Sequence, residues 1–487
     1  MSSRGTRLAG MAPAPASSSP APSSPRPSSR PTTGSATTRE RASVSEHVGR
    51  LRTVLSAALQ DPARHGGESL RVIEPGLVGR VAAADVIAEA PLPGFDNSQM
   101  DGFAVRSADL TPGEERSLPL AGVVPAGSAA PSLPEGATAA VMTGAPLPEG
   151  ADVVIPVERT TAGSFQDLLP QSDPGTSGPP SGRTARSVTF TELTAEDLSP
   201  GRFIRPAGSD VEAGETVLRA GEALTPARLG LLAALGRATV SVRPRTRALV
   251  LATGDEVRRP GSTLRPGQLH DANTPLLMAG LESLGVEAHA ASTASDDVAT
   301  FTDVVEELIS QYDPQLLVTA GGISAGAFEV VRQSLADRGI EFGSIRQQPG
   351  GPQGWGLIPA DGRRPAVAVV CLPGNPVSCA VSLETLLRPA LASLDASCPP
   401  PHRIAVTLAE AVESRPGVTQ YRRAEFSPAS TDDAAQLPTV RLVGGPSSHL
   451  LGHLARADVL VELTEDDTQV PAGAERHALL LTGRRLP

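Results

Sequence analysis

From Arg247 onward, apolar runs of strand length alternate with segments of helical period. The pattern predicts strands over 248–252, 287–291, 316–320 and 366–371, and helices over 274–284, 302–310, 328–336 and 381–394. Such alternation builds right-handed βαβ units around a mainly parallel sheet. The strand at 316–320 runs into Gly321, Gly322, Ser324 and Gly326. Glycines let backbone N–H groups approach a ligand, and a helix N-terminus favours negative charge. The turn therefore suits a phosphate-type anion as well as a plain βα connection. Ligands of these sheets sit beyond the carboxyl ends of the strands. Residues 253–256 (TGDE), 321–326 and 372–378 (LPGNPVS) all fall there.

Elsewhere the period changes. Residues 1–42 are rich in Ser, Pro, Ala, Thr and Arg, too poor in large apolar side chains to offset ordering entropy, and are expected to be a disordered tail. Ser43 and Glu46 have capping-box spacing, and Val48, Leu51, Val54, Leu55 and Leu59 follow at helical spacing. An N-terminal region is predicted over 43–245. Within it a β-rich part, about 112–200, carries a Gly/Pro-rich insertion at 160–186 that reads as a mobile surface loop. The α/β domain spans 246–397. After the stiff linker Cys398-Pro-Pro-Pro-His402, residues 403–487 read as a small β-barrel or sandwich. The fold class is multidomain α/β plus β.

Composition narrows the function. A chain of 487 residues with net charge −11 and few aromatics excludes nucleic acid as the main partner. No apolar run reaches membrane-span length, so no membrane partner is expected. All 42 basic residues are arginine, which excludes a lysine Schiff base and a Walker-type lysine. Three scattered cysteines, Cys371, Cys379 and Cys398, read as buried reduced thiols of a cytoplasmic protein.

Four constellations can carry chemistry. Thr253, Asp255 and Glu256 offer oxygen ligands to a hard divalent ion, or are ordinary loop acids. Ser324, Gly326 and Glu329 follow the glycine turn, with Glu329 in the first helical turn as either a metal ligand or a dipole partner. In 373–378, Pro373, Gly374, Asn375, Pro376 and Ser378 form a loop whose Asn amide both donates and accepts, which suits a pterin or purine edge. Asp96, Asn97, Ser98 and Asp101 cluster ahead of an apolar strand, which is unusual without a partner. Asp210 follows Arg202 and Arg205 in what also reads as an ion-pair network. His270-Asp271 reads as incidental.

Six stretches, PLPGFDNSQMDGFAVR, MTGAPLPEGADVVIPVE, RPAGSDVEAGETVL, ATGDEV, GGISAGAFEVVR and CLPGNPVS, occur in one order. With them, residues 43–487 resemble the molybdopterin molybdenumtransferase family, which is similar to the E domain of gephyrin and its plant equivalent. The resemblance implies insertion of molybdate into adenylylated molybdopterin with release of AMP. It further implies a magnesium cofactor and an elongated homodimer whose cleft lies between the α/β domain of one subunit and the N-terminal region of the other. A molybdopterin adenylyltransferase is a candidate partner. It implies catalytic roles for Asp96, Asp101, Thr143, Asp210 and Glu256, and metal binding by Asp255, Glu256 and Glu329. It implies substrate contacts from Thr253, Gly321, Gly322, Ser324, Gly326, Pro373, Gly374, Asn375, Pro376, Ser378 and Ser448.

The chain departs from the family pattern in three places. Ala327 stands where the family has an acid, Glu329 where it has Asp, and Gln348-Pro349-Gly350-Gly351-Pro352 where it has K-P-G-K-P. Two cationic contacts are thus absent, and Arg332 and Arg346 are candidates to replace the charge. The alternative is a catalytically weakened paralogue acting as a molybdopterin-binding or scaffold protein.

Overall fold

The computed structural model describes residues 41–60, 66–162, 187–254, 256–293, 297–323, 329–362, 364–428 and 437–486. Asp255, Ser324, Gly326, Ala327, almost all of the expected tail and most of the 160–186 insertion lie outside the described residues. The described body starts slightly before Ser43. Ala42 is buried, and its carbonyl accepts from the Arg346 N–H at 2.8 Å.

The helix Val44–Leu59 carries the expected capping box. Ser43 Oγ accepts from the Glu46 N–H, and the Glu46 carboxylate accepts from the Ser43 N–H. Its buried residues Leu51, Leu55 and Ala58 share a core with Val250, Val318, Trp355 and Val370. Chain order groups this helix with the N-terminal region, but its packing puts it on the α/β domain. An amphipathic stripe shows that a helix is covered, not by what.

The α/β sheet has six strands in the order Glu287–Thr293, Arg247–Thr253, Leu316–Ala320, Val367–Leu372, Pro352–Ile358 and Glu341–Ser344. The first four are parallel. The last two pair antiparallel, an edge the helical alternation did not reveal. Both faces are covered, so the strands read as continuous apolar runs. Ala248 and Val250 enter the core on one side, Leu249 and Leu251 the core on the other.

Three helix starts differ from expectation, and the helix expected over 302–310 is Val298–Tyr312, because Asp297 caps it by accepting from the Thr300 N–H. The helix expected over 381–394 begins at Pro376, because Asn375 caps it and Pro376 supplies a pre-set first residue. It passes through a π turn at Leu383–Leu387. The helix after the glycine turn is Val330–Ala336, which leaves Glu329 at the capping position rather than within the first turn.

The N-terminal region holds a five-stranded sheet ordered Val153–Pro156, Gly102–Val105, Thr138–Val141, Arg116–Val124 and Ser187–Phe190. The C-terminal strands Arg403–Leu408, Thr419–Phe426, Thr439–Leu442, Val459–Leu463 and Glu475–Leu480 close into a barrel, because Thr419–Phe426 also pairs with Val459–Leu463. Gln347–Gln348, from the α/β domain, extends this sheet beside Thr419 and Gln420. Among the described residues no helix is long and apolar enough to cross a membrane.

Candidate functional site

The three strand-end loops meet at one cleft of about 750 Å³. Its walls include Thr253, Glu256, Gly321, Gly322, Glu329, Pro373, Gly374, Asn375 and Pro376. Parallel pairing brings the ends of Arg247–Thr253, Leu316–Ala320 and Val367–Leu372 side by side. Backbone contact then sets the spacing of the loops. A Cβ on Gly374 would stand 3.3 Å from Gly321 Cα, and one on Gly321 would stand 3.0 Å from the Thr253 carbonyl oxygen. Gly321 also has φ +98°, in the region that favours glycine. Its N–H is spent on the Leu372 carbonyl (3.1 Å). Among the described residues the N–H groups of Gly322 and Gly374 have no partner, so they are two of the backbone donors open to a ligand.

Three side chains mark places where a ligand is expected. Thr253 Oγ1 is buried and has no hydrogen-bond partner among the described residues. Asn273 on the cleft wall donates through Nδ2 to the Gly374 carbonyl at 2.8 Å, and its Oδ1 is buried without a partner. Buried polar atoms are normally paired, so each orphan is a candidate contact. Asn375 Oδ1, by contrast, is used to accept from the Val377 N–H (3.0 Å), which leaves its NH₂ for recognition.

Asn273 was missed in the sequence because Asp-Ala-Asn-Thr reads only as a helix start. Asp271, one residue before the N-cap Ala272, accepts from the Thr274 N–H (3.0 Å) while also lining the cleft. His270 Nε2 sits 2.9 Å from the Ser262 carbonyl, and among the described residues no hydrogen bond joins His270 to Asp271. Ser378 is buried in the first turn of the helix Pro376–Ser382 and is not part of the cleft wall.

The described cleft wall carries the carboxylates of Glu256, Asp271 and Glu329 and no arginine. Neither arginine expected to restore positive charge lines the described cleft wall. Arg346 is held by Glu465 (2.8 Å) and the Arg41 carbonyl, and Arg332 lies over the Phe342 ring. The cysteines also stand aside. All three are free and buried, and burial pushes the Cys371 and Cys398 thiols up to about 12, far from metal-binding thiolates.

The remaining expected residues gather elsewhere. Asp101 Oδ1 accepts from both the N–H (2.7 Å) and the hydroxyl (2.9 Å) of Thr143, 42 positions away. Asp96 accepts from the Ala207 N–H (2.7 Å), and the Asp210 N–H donates to the Leu92 carbonyl (3.0 Å). The short pair Asn97–Ser98 and Ile204–Arg205 ties these loops together. This exposed cluster is separate from the cleft wall within one chain. Ser448 lies in a barrel loop, beside Ser447, whose carbonyl accepts from the buried Arg423 (3.0 Å). It does not reach the cleft wall either.

Comparison with known proteins agrees with this layout. Residues 42–236 match the family model for the MoeA N-terminal region (domain I and II). Residues 249–393 match that for a probable molybdopterin binding domain, and 405–481 that for the MoeA C-terminal region (domain IV). The chain is similar to molybdopterin molybdenumtransferase 2 of Mycobacterium tuberculosis, 38% identical over 444 residues, covering 87% of this chain and 100% of the relative. It is also similar to the molybdopterin molybdenumtransferase of Haemophilus influenzae, 32% identical over 400 residues, covering 81% and 89%. A MoeA protein from Pyrococcus horikoshii shares the fold, with TM-score 0.67 at 21% identity over 91% of this chain and 100% of that one. With three domain matches in family order and full-length relatives above 30% identity, the chain belongs to the molybdopterin molybdenumtransferase (MoeA) family.

Proposed function

We propose that this protein inserts molybdate into adenylylated molybdopterin and releases AMP, a step of molybdenum cofactor biosynthesis. The observation that carries this reading is the convergence of three strand-end loops on one cleft whose glycine backbones touch. Such a cleft suits a pterin joined to a nucleotide by a phosphoanhydride. The Gly322 and Gly374 N–H groups hold phosphate oxygens, and the Asn375 and Asn273 amides read the ring edges.

The carboxylates around the cleft would repel those phosphates. The oxygen donors there, Glu256 and Glu329 with the unpartnered Thr253 hydroxyl, match the chemistry that holds magnesium. Bound magnesium would neutralise the phosphate charge, and Asp255 is a further proposed ligand. The acid cluster around Asp96, Asp101, Thr143 and Asp210 is proposed to complete the cleft of a second copy in a homodimer. In support, half-exposed Phe95 borders that cluster and half-exposed Leu269 borders the cleft. A cytoplasmic location suits the three free cysteines.

The test is incubation with adenylylated molybdopterin, molybdate and magnesium, following AMP. Molybdate-dependent release is expected, and its absence from folded protein would overturn the activity. Glu256→Gln is expected to lower release at least 100-fold while leaving the fold intact. A wild-type rate would remove Glu256 from the metal site without touching the activity.

A further inference from the structure

The opposite end of the α/β sheet carries a second pocket, of about 370 Å³. That is within the rough 300–1,000 Å³ range of small-ligand sites. It lies where the N-terminal region hands over to the α/β domain. Its walls include Arg80, Arg243, Arg245, Thr246, Gln315 and Asp395. Thr246 immediately precedes the 7-residue strand that ends at Thr253. At about 3.3 Å per residue the pocket is roughly 20 Å from the cleft, so the two are separate sites.

The pocket is rich in donors and poor in free acceptors. Arg243 and Arg245 are exposed and have no carboxylate partner among the described residues. Arg80 is buried and bonds Glu68 and the Arg243 carbonyl (both 2.7 Å), so one of the three guanidinium charges is already balanced. The single carboxylate in the wall, Asp395, accepts from the N–H (2.9 Å) and hydroxyl (2.7 Å) of Ser397 and faces the Thr246 hydroxyl (3.5 Å). Gln315 is the most informative residue. It is 8% exposed, its Oε1 is fixed by the Arg247 N–H (2.8 Å), and its Nε2 has no partner among the described residues. With Oε1 fixed, the NH₂ is a donor open to the solvent of the pocket.

We propose that this pocket binds a small phosphate-bearing anion, held by Arg243 and Arg245 as charge and by Gln315 Nε2 as a fixed donor. Planar guanidinium forks and a pre-set amide suit phosphate oxygens, and the volume exceeds what inorganic phosphate alone fills. The inference does not depend on the reaction proposed for the cleft.

The experiment is a thermal-midpoint titration of the full chain with inorganic phosphate and, separately, with ribose 5-phosphate. Chloride keeps the ionic strength constant. A saturable rise in midpoint is expected with at least one probe. A response to phosphate alone indicates the free ion, and a tighter response to the sugar phosphate indicates a phosphate monoester. Arg245→Gln, at an exposed position, is expected to weaken binding at least tenfold. Gln315→Glu, which keeps the acceptor for Arg247 but turns the donor into a carboxylate oxygen, is expected to do the same. AMP release should stay within twofold of wild type in Arg245→Gln. No saturable shift with either probe, or a shift unchanged in both variants, would overturn the proposal.

Discussion

Replacing Gly321 by alanine tests whether the glycine turn is a geometric requirement of the cleft. Two costs arise. At φ +98° an L side chain is strained, at roughly 1–3 kcal/mol. The new Cβ would also lie 3.0 Å from the Thr253 carbonyl oxygen and 3.2 Å from Thr253 Oγ1. That carbonyl belongs to a central strand, so the loop must yield rather than the strand, adding about 1 kcal/mol by analogy with overpacking. The sum is roughly 2–4 kcal/mol. Trp355, the one tryptophan of the chain, is buried in the α/β core, so its fluorescence follows unfolding of this domain. With a urea m-value of roughly 2 kcal/mol/M, the midpoint should fall by about 1–2 M. The methyl would also crowd the Thr253 hydroxyl, so AMP release should drop at least tenfold. Gly374→Ala is the control. Its φ is ordinary, and its Cβ would meet Gly321 Cα at 3.3 Å, which a shift of a few tenths of an ångström relieves. A Gly321→Ala protein with unchanged midpoint and AMP release would refute the reasoning.

Three further outcomes can be measured with the same probes. His47 is fully buried against the edge of Trp355, and burial, with a smaller contribution from the Arg50 charge, lowers its pKa from 6.5 to about 4. The unfolded chain then binds more protons between those values, so this contribution is complete above pH 6.5 and lost as pH falls toward 4, by roughly 3 kcal/mol. His47→Phe should flatten the pH dependence of the Trp355 urea midpoint in that window, and equal slopes would contradict the assignment. Asn273→Leu removes the tether to the Gly374 carbonyl, worth about 1 kcal/mol, so KM should rise about fivefold with little change in midpoint. An unchanged KM would show that the tether does not order the loop. Arg388→Met leaves Glu384 buried without its guanidinium, at a cost of roughly 3–5 kcal/mol, whereas the double change with Glu384→Leu should recover most of it. A single variant as stable as wild type would mean that Glu384 finds another partner.

Local chemistry explains what was readable in the chain. The strand–helix alternation from Arg247, the capping box at Ser43 and Glu46, and the glycines at 321–322 all follow from spacing, caps and backbone freedom within a few residues. Those signals located the carboxyl-end loops, and the structure brings them together at one cleft. The polar cluster at Asp96 and Asp101 and the position of Asp210 were also legible in the chain, the family motifs added Thr143, and these four lie together outside that cleft in a single chain.

Only the tertiary structure decided which surfaces meet. It sent the helix Val44–Leu59 to the α/β domain, because an apolar stripe does not name its partner. It added the antiparallel edge at 341–358 and turned PVS from loop into helix, where Asn375 and Pro376 act as cap and first residue. It set Asn273 against the Gly374 carbonyl across 101 positions of sequence and tied Arg346 to Glu465 instead of the cleft. The sequence by itself determined the strand ends, the glycine turns and the kinds of residue available for chemistry, because those depend on neighbours along the chain. Partner choice, orphaned atoms and the charge of the cleft wall depend on contacts between distant segments, and these exist only once the sheet has formed.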